Sequence, residues 1–187
     1  MSQKTDIAAL KKLSRSPRTE EDMQEIYRII DDGDDVSAAL VCGALLEEGT
    51  EQLLVAHLVS LSSDEASELF RGFGPLASLS ARTKFAYAMG LLGKVTKQNT
   101  DLLREIRNAV AHSRRPLSFV TPEIAAVCGR LKTREQMVDR DAAVAAEFEK
   151  DTKGPKLRYV AMSFLIFQQL RRAASAAPPR DRPSALP

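Results

Sequence analysis

Tryptophan is absent from the 187-residue sequence, and aromatic residues make up only 5% of it. There are two histidines, His57 and His112, and two cysteines, Cys42 and Cys128, which form no CxxC pair. Metal sites need several His, Cys or carboxylate ligands on converging faces, so we predict no metal site and no cofactor. Unpaired cysteines in apolar segments indicate reduced thiols, as in cytosolic proteins.

Long hydrophobic runs are also missing. No apolar stretch approaches the roughly 20 residues that a membrane span needs, and the polar, charged N-terminus lacks the features of a signal peptide. We therefore expect a soluble, cytoplasmic protein. The glycine pair in Gly72-Phe73-Gly74 has neither the preceding strand nor the GKS/T sequence of a phosphate loop, which argues against nucleotide binding.

The sequence is rich in alanine and leucine at helical spacing and shows little alternation of β-branched residues. This pattern predicts an all-α protein, a single multi-helix bundle with short connecting loops. We expect the helical domain over residues 19–172. Residues 1–18 would form an N-terminal arm or short helix, and the Ala- and Pro-rich residues 173–187 would form a disordered tail.

Several local signals mark where helices begin. Thr19 and Asp22 have the spacing of a capping box, and Asp34 and Asp35 precede a long apolar segment that could run to Leu61. Pro122 suits the first turn of a helix. Further helices are predicted over residues 132–150 and 156–172, the first with Met137, Val138, Val144 and Phe148 facing inward. On the helix after Ser78 or Ser80, we expect Phe85 inside and Arg82 outside.

Charge is unevenly distributed along the chain. Residues 1–70 carry 6 Lys and Arg against 15 Asp and Glu, a net charge of −9, whereas residues 71–187 carry 21 against 10, a net charge of +11. We expect the two halves to attract each other, within one chain or across a dimer. The acidic group Glu47, Glu48 and Glu51 is expected to be either a solvated face or the source of salt bridges to the basic half, rather than a metal site or a catalytic base. An acidic partner or nucleic acid is the alternative partner for the basic half.

The segment from Asp101 to His112 predicts a central amphipathic helix. Leu102, Leu103, Ile106, Ala109 and Val110 share one arc at 100° per residue, and Asn99 or Thr100 could cap the start. Ser113 to Pro116 would end it. The opposite face carries Arg104, Asn108 and His112. The full candidate binding set is Arg82, Arg104, Arg107, Asn108, His112, Arg114 and Arg115.

The middle of the sequence resembles a known family. The segments that show the resemblance are Leu69-Phe70, GPLASLSAR at 74–82, AYAMGLL at 86–92, IRNAVAHS at 106–113, Phe119 and Cys128. Together these segments are similar to the mannitol operon repressors. The resemblance implies an all-helical bacterial transcriptional regulator of the repressor type. It also implies that the regulator lacks an evident DNA-binding motif and acts mainly through protein partners. Because the basic half has no helix-turn-helix pattern, we expect at most weak, nonspecific contact to nucleic acid.

Arg107, Asn108 and His112 also resemble the R-x(4–6)-H signature of HEPN domains, which include metal-independent ribonucleases. That alternative makes these three residues catalytic, with His112 moving a proton and Arg107 stabilising charge. On one straight helix, however, Arg107 and His112 lie 140° apart, so they would converge only at a frayed end or across a dimer. The structural interpretation is that Asn108 and His112 bind the loop at 74–80 while Arg107 pairs with an acidic residue.

Overall fold

The computed structural model describes residues 6–7, 9–10, 13, 18–137, 146, 150 and 154–181. Within these residues the chain forms eight named helices and no strand, which confirms the all-α prediction. The helices are α1 (Glu20–Asp32), α2 (Asp35–His57), α3 (Ser63–Phe70), α4 (Leu79–Ala88), α5 (Lys94–His112), α6 (Pro122–Gly129), α7 (Thr133–Gln136) and α8 (Pro155–Ser175).

Short polar side chains begin the first four helices. Thr19 and Asp22 form the predicted capping box on α1, with Thr19 N–H 2.7 Å from the Asp22 carboxylate. Asp34 accepts from Ser37 N–H at 2.7 Å and caps α2. Ser62 caps α3, and Ser78 caps α4. Each cap satisfies a backbone N–H that the first turn of a helix leaves without a partner.

Helix α2 lies at the centre of the bundle and packs most extensively against α8. Gly49 permits this approach, because a Cβ there would lie 2.9 Å from Phe167 Cδ2. Tyr159 of α8 is buried, and its hydroxyl donates to Ala39 O at 3.1 Å. Since a buried hydroxyl needs a partner, this bond fixes the register of α8 on α2. The last helix, which carries several aromatic residues, therefore packs centrally.

Several predicted boundaries were wrong. Helix α2 ends at His57 rather than Leu61, α5 begins at Lys94 rather than after Asn99, and α8 continues to Ser175 rather than Arg172. Of the predicted 132–150 helix, the structure describes residues 132–137, which contain α7, and residues 146 and 150. Most of that segment, with Val138, Val144 and Phe148, lies outside the described residues. The same is true of most of residues 1–17 and of all residues from 182 to 187.

Some predicted core faces were also wrong. Phe85, expected inside, is 39% exposed, and Arg82, expected outside, is only 5% exposed. On α2 the apolar residue Leu40 is 38% exposed. Helix α2 is contacted by α1, α4, α5 and α8, so its buried residues do not form the single stripe that a surface helix has. The core positions of α2 are Ala38, Ala39, Cys42, Leu45, Leu46, Leu53 and Leu54.

No helix in the described part of the chain combines the length and apolar character needed to cross a membrane.

Candidate functional site at the C-terminal end of helix α5

The amphipathic pattern of α5 sets which side of the helix the candidate binding residues occupy. Leu103 and Ile106 are buried against the core, at 0% and 2% exposure. The helix remains regular through His112, and Ser113 is its C-cap. The predicted stop is therefore confirmed, and the polar face between Arg104 and His112 is carried on a straight helix.

Arg107 is held against α2. One of its terminal nitrogens lies 3.1 Å from Glu47 Oε1, and the other donates to Asn108 Oδ1 at 3.1 Å. The stem of Arg107 passes directly over Gly43, where a Cβ would lie 2.6 Å from Arg107 Cγ. Arg107 therefore pairs with an acidic residue, as the structural interpretation predicted.

The acidic group on α2 forms ion pairs, and of the two alternatives the salt bridge to the basic half holds for Glu47 and Glu51. Glu47 pairs with Arg107, and Glu51 pairs with Arg71 at 2.6 Å and with Arg82 at 3.1 Å. All three arginines belong to the basic half of the sequence. Glu48 is bound instead by Arg18, from the acidic half, at 2.7 Å.

Arg82 does not face outward as predicted. Its guanidinium donates to the carbonyl oxygens of Leu76 at 2.7 Å, Glu47 at 3.0 Å and Phe70 at 3.1 Å. Burial lowers the pKa of Arg82, although an arginine keeps its charge in proteins. A buried cation requires such partners, so Arg82 joins the turn before α4 to α2 and is unavailable as a surface contact.

The other candidate residues differ in exposure. Arg104 is half-buried and pairs with its neighbour Glu105. His112, Arg114 and Arg115 are exposed. Among the described residues, the side chains of His112 and Arg114 have no hydrogen-bond or ion-pair partner. The exposed end of α5 and the loop after it therefore carry accessible nitrogen donors.

The geometry within one chain does not form a ribonuclease pair. Arg107 is occupied by Glu47 and Asn108, while His112 is exposed five residues further along the same straight helix. The predicted contacts to the loop at 74–80 are also wrong, because Asn108 accepts from Arg107 and His112 faces solvent. Among the described residues, the terminal nitrogens of Arg107 are bound by Glu47 and Asn108, and no hydrogen bond joins His112 to Arg107.

A buried amide network was missed by the sequence analysis. Asn99 Oδ1 accepts from Lys132 N–H at 2.9 Å, and its amide nitrogen donates to Gln136 Oε1 at 2.9 Å. Gln136 in turn donates to Gln169 Oε1 at 2.6 Å. The network joins α5, α7 and α8. Asn99 precedes Leu103 and Ile106 by four and seven residues, and this helical period could have revealed it as a core position.

A groove opens beside this network, between the start of α5, α7 and the second half of α8. Its volume is about 820 Å³. The walls are mainly apolar, with Gln136 and Gln169 at the polar end; the apolar side chains include Leu53, Leu92, Leu165 and Leu170.

Comparison with solved structures identifies the fold. The chain is similar to a protein in the X-ray structure of the MtlR-HPr complex from Escherichia coli, with 18% identity, a TM-score of 0.56, and coverage of 81% of this chain and 97% of that one. It is also similar to the possible transcriptional regulator YggD from Shigella flexneri 2a, with 13% identity, a TM-score of 0.55, and coverage of 87% and 99%. No curated protein gives a significant match.

The family model described as mannitol repressor, MtlR, matches residues 23–174. This match spans all eight helices except the first three residues of α1 and the last residue of α8. The chain is therefore a repressor-type transcriptional regulator with an all-helical fold. It belongs to the mannitol repressor family, MtlR.

Proposed function

We propose that this chain represses transcription in the cytoplasm by binding a protein partner, and that the partner is HPr. The observation that carries the proposal is the family match over residues 23–174. It is supported by the structural similarity to the chain from the MtlR-HPr complex, since that protein was solved together with HPr. Binding would reside in the helical domain at residues 19–172, with the arm and the tail dispensable.

The contact surface would be the exposed end of α5, formed by Arg104, His112, Arg114 and Arg115. Arginine is enriched at protein interfaces because its planar guanidinium donates several hydrogen bonds at once. Arg82, Arg107 and Asn108 would support this surface from inside rather than touch the partner. Arg107 holds α5 against Glu47, and Arg82 holds the neighbouring turn against α2.

Calorimetric titration of purified HPr from the same bacterium into the full chain tests the proposal. We expect saturable binding by the wild type. A triple variant, His112→Ala, Arg114→Ala and Arg115→Ala, should weaken binding about tenfold or more, since loss of a few central contacts accounts for most interface energy. Its melting temperature should remain unchanged because all three side chains are exposed.

The matched control removes two exposed cations elsewhere, Lys84→Ala with Arg130→Ala, and should bind as the wild type does. Absence of HPr binding by the wild type would reject HPr as the partner. Binding by the triple variant at wild-type affinity would reject the proposed surface. The isolated chain should bind promoter DNA only weakly, with an affinity that falls steeply as salt increases.

A further inference from the structure

A cavity lies between the end of α8 and the middle of α2, beside the residue that precedes the N-cap of α1. Its volume is about 310 Å³, which is at the lower end of the range typical of small-molecule sites. It is lined by Arg18, Glu48, Gln52, Phe167, Arg171, Ala174 and Ser175. Three separate parts of the chain thus supply polar side chains to one cavity, and two of those side chains are arginines.

Arg18 is only partly satisfied within the chain. Its Nε lies 2.7 Å from Glu48 Oε2, while its terminal nitrogen Nη1 is buried and has no hydrogen-bond partner in the part of the chain that the structure describes. A donor of a charged group that is buried without an acceptor is especially costly. A bound ion is one of the few explanations for such a group in a native protein. An acceptor bound in the cavity would supply the partner that this nitrogen lacks.

Arg171 brings a second guanidinium to the same cavity. Its Cζ lies 5.7 Å from the centre of the Phe167 ring, and this cation–π contact holds the group over the aromatic wall. Among the residues that the structure describes, no carboxylate forms an ion pair with Arg171. The charge of Arg171 is therefore available to a ligand.

The lining of the cavity carries a net positive charge. Glu48 is the one acidic residue among the described lining residues, and its two oxygens are engaged by Arg18 at 2.7 Å and by Gln52 Nε2 at 3.0 Å. One carboxylate against two guanidiniums leaves one positive charge unbalanced. The carbonyl end of α8 offsets part of this charge, but Arg172 supplies a further cation in the last turn of the helix. The cavity therefore favours an anion.

We infer that this cavity binds a phosphoryl group, either as free phosphate or as the terminal group of a small phosphate ester. A phosphoryl group has three strong acceptor oxygens, and three donor groups line the cavity, namely the guanidiniums of Arg18 and Arg171 and the hydroxyl of Ser175. A carboxylate has only two oxygens, and a single guanidinium can bind both. Phe167 and Ala174 form the apolar part of the wall, which suits the organic part of an ester.

A bound phosphoryl group would join the start of α1 to the end of α8. Arg18 directly precedes Thr19, the N-cap of α1, and Arg171 lies near the C-terminal end of α8. None of the described lining residues belongs to the proposed contact surface on α5. The phosphoryl site is therefore separate from the surface proposed for HPr, and its test does not depend on that protein.

Titration of the ¹⁵N-labelled full chain with inorganic phosphate, followed by NMR, tests this inference. The pH and the ionic strength are held constant, so that general screening of charges does not change during the titration. We expect the amide signal of Ser175, the side-chain amide of Gln52 and the Nε–H signal of Arg171 to shift together and to saturate with one Kd. Shifts that do not saturate, or saturable shifts confined to other parts of the chain, would overturn the inference.

Two further titrations define the ligand. Acetate should bind at least about tenfold more weakly than phosphate, and equal affinity for acetate would overturn the assignment to a phosphoryl group. Glycerol 3-phosphate distinguishes the two sources of that group. Tighter binding than that of inorganic phosphate supports a phosphate ester as the ligand, whereas equal or weaker binding supports free phosphate.

Two neighbouring arginines provide a matched pair of variants. Arg171→Gln removes one guanidinium from the cavity and should weaken phosphate binding at least about tenfold. Its melting temperature without phosphate should equal that of the wild type, because Arg171 is exposed. Arg172→Gln changes an exposed arginine that is not among the lining residues and should bind phosphate like the wild type. Wild-type affinity of Arg171→Gln, or equal weakening by both variants, would overturn the site.

Discussion

Gly43 and Arg107 meet where α2 and α5 cross, and the arginine stem occupies the space that any larger residue at position 43 would need. The distance from an added Cβ to Arg107 Cγ would be 2.6 Å. Since real Cβ contacts are longer than this, Arg107 would have to move and its ion pair with Glu47 would be disturbed.

Gly43→Ala should therefore lower the free energy of unfolding. Alanine gains about 1 kcal/mol of helix propensity over glycine, but overpacking costs about 1–3 kcal/mol, so we expect a net loss of about 1 kcal/mol. In an Arg107→Ala background the clash disappears, and Gly43→Ala should become neutral or stabilising. Urea unfolding of the two single variants and the double variant measures this coupling. Additive effects would show that the residues do not interact.

Arg82→Ala should destabilise the protein by about 3 kcal/mol, because it removes the guanidinium that donates to Leu76 O, Glu47 O and Phe70 O. Glu51 would retain Arg71 as a partner, which limits the loss. Chemical unfolding followed by circular dichroism gives the change. Lys84→Ala, an exposed residue on the same helix, is the control and should stay within about 0.5 kcal/mol of the wild type. Equal stability of the two variants would contradict the role of Arg82.

Asn99→Ala should cost about 2 kcal/mol, because Lys132 N–H and Gln136 Oε1 would lose a buried partner. Gln24→Ala removes an exposed amide from α1 and should have almost no effect. Hydrogen exchange provides a second measurement, since Lys132 N–H should exchange faster in Asn99→Ala. Unchanged exchange at Lys132 would show that the amide network does not hold the α6–α7 connection.

The wild-type chain should not hydrolyse single-stranded RNA in the presence of a chelator. Arg107 is engaged by Glu47, and His112 is solvent-exposed at the helix end. The two positions should also differ in stability, since Arg107→Ala loses an ion pair and His112→Ala loses no contact. Cleavage by the wild type, lost in both folded variants, would establish the ribonuclease alternative.

Acid should weaken the first turns of α1 and α2. The hydrogen bonds from Thr19 and Ser37 N–H lower the pKa values of Asp22 and Asp34 below their ordinary value of 3.8. Their stabilisation is therefore complete above about pH 3.8 and is lost as the pH falls through the lower folded pKa values. Asp34→Asn keeps a capping oxygen that does not titrate. Melting temperatures measured from pH 6 to pH 2.5 should decline less steeply for this variant than for the wild type.

Local features of the fold could be predicted from sequence because their causes lie within a few residues. The Thr19–Asp22 box, the Asp34 cap and Pro122 at the first turn of α6 act across three or four positions. The positions that sequence analysis missed depend on distant partners. Asn99 is a good capping residue by type. Its helical spacing to Leu103 and Ile106 pointed to the core, but its partners Gln136 and Lys132 lie 37 and 33 residues away in sequence. Similarly, arginine is usually exposed, but carbonyl groups from three segments enclose Arg82.

The candidate site was only partly predictable, because its contacts join residues that are distant in sequence. The charge difference between the halves indicated salt bridges as one of two alternatives for Glu47 and Glu51, but it could not identify Arg71, Arg82 and Arg107 as their partners. The cavity beside Arg171 was not predictable either. It is formed by Arg18, the middle of α2 and the end of α8, which only the folded chain brings together.

The pairing of α2 with α8 has a consequence for how the chain folds during synthesis. About 100 residues separate the end of α2 at His57 from the start of α8 at Pro155, and contacts so distant in sequence slow folding. While the ribosome makes the intervening helices, the face of α2 that later covers Phe167 and Leu170 has no partner. The nascent bundle should therefore depend on chaperones until α8 emerges, because exposed apolar faces of incomplete domains promote aggregation.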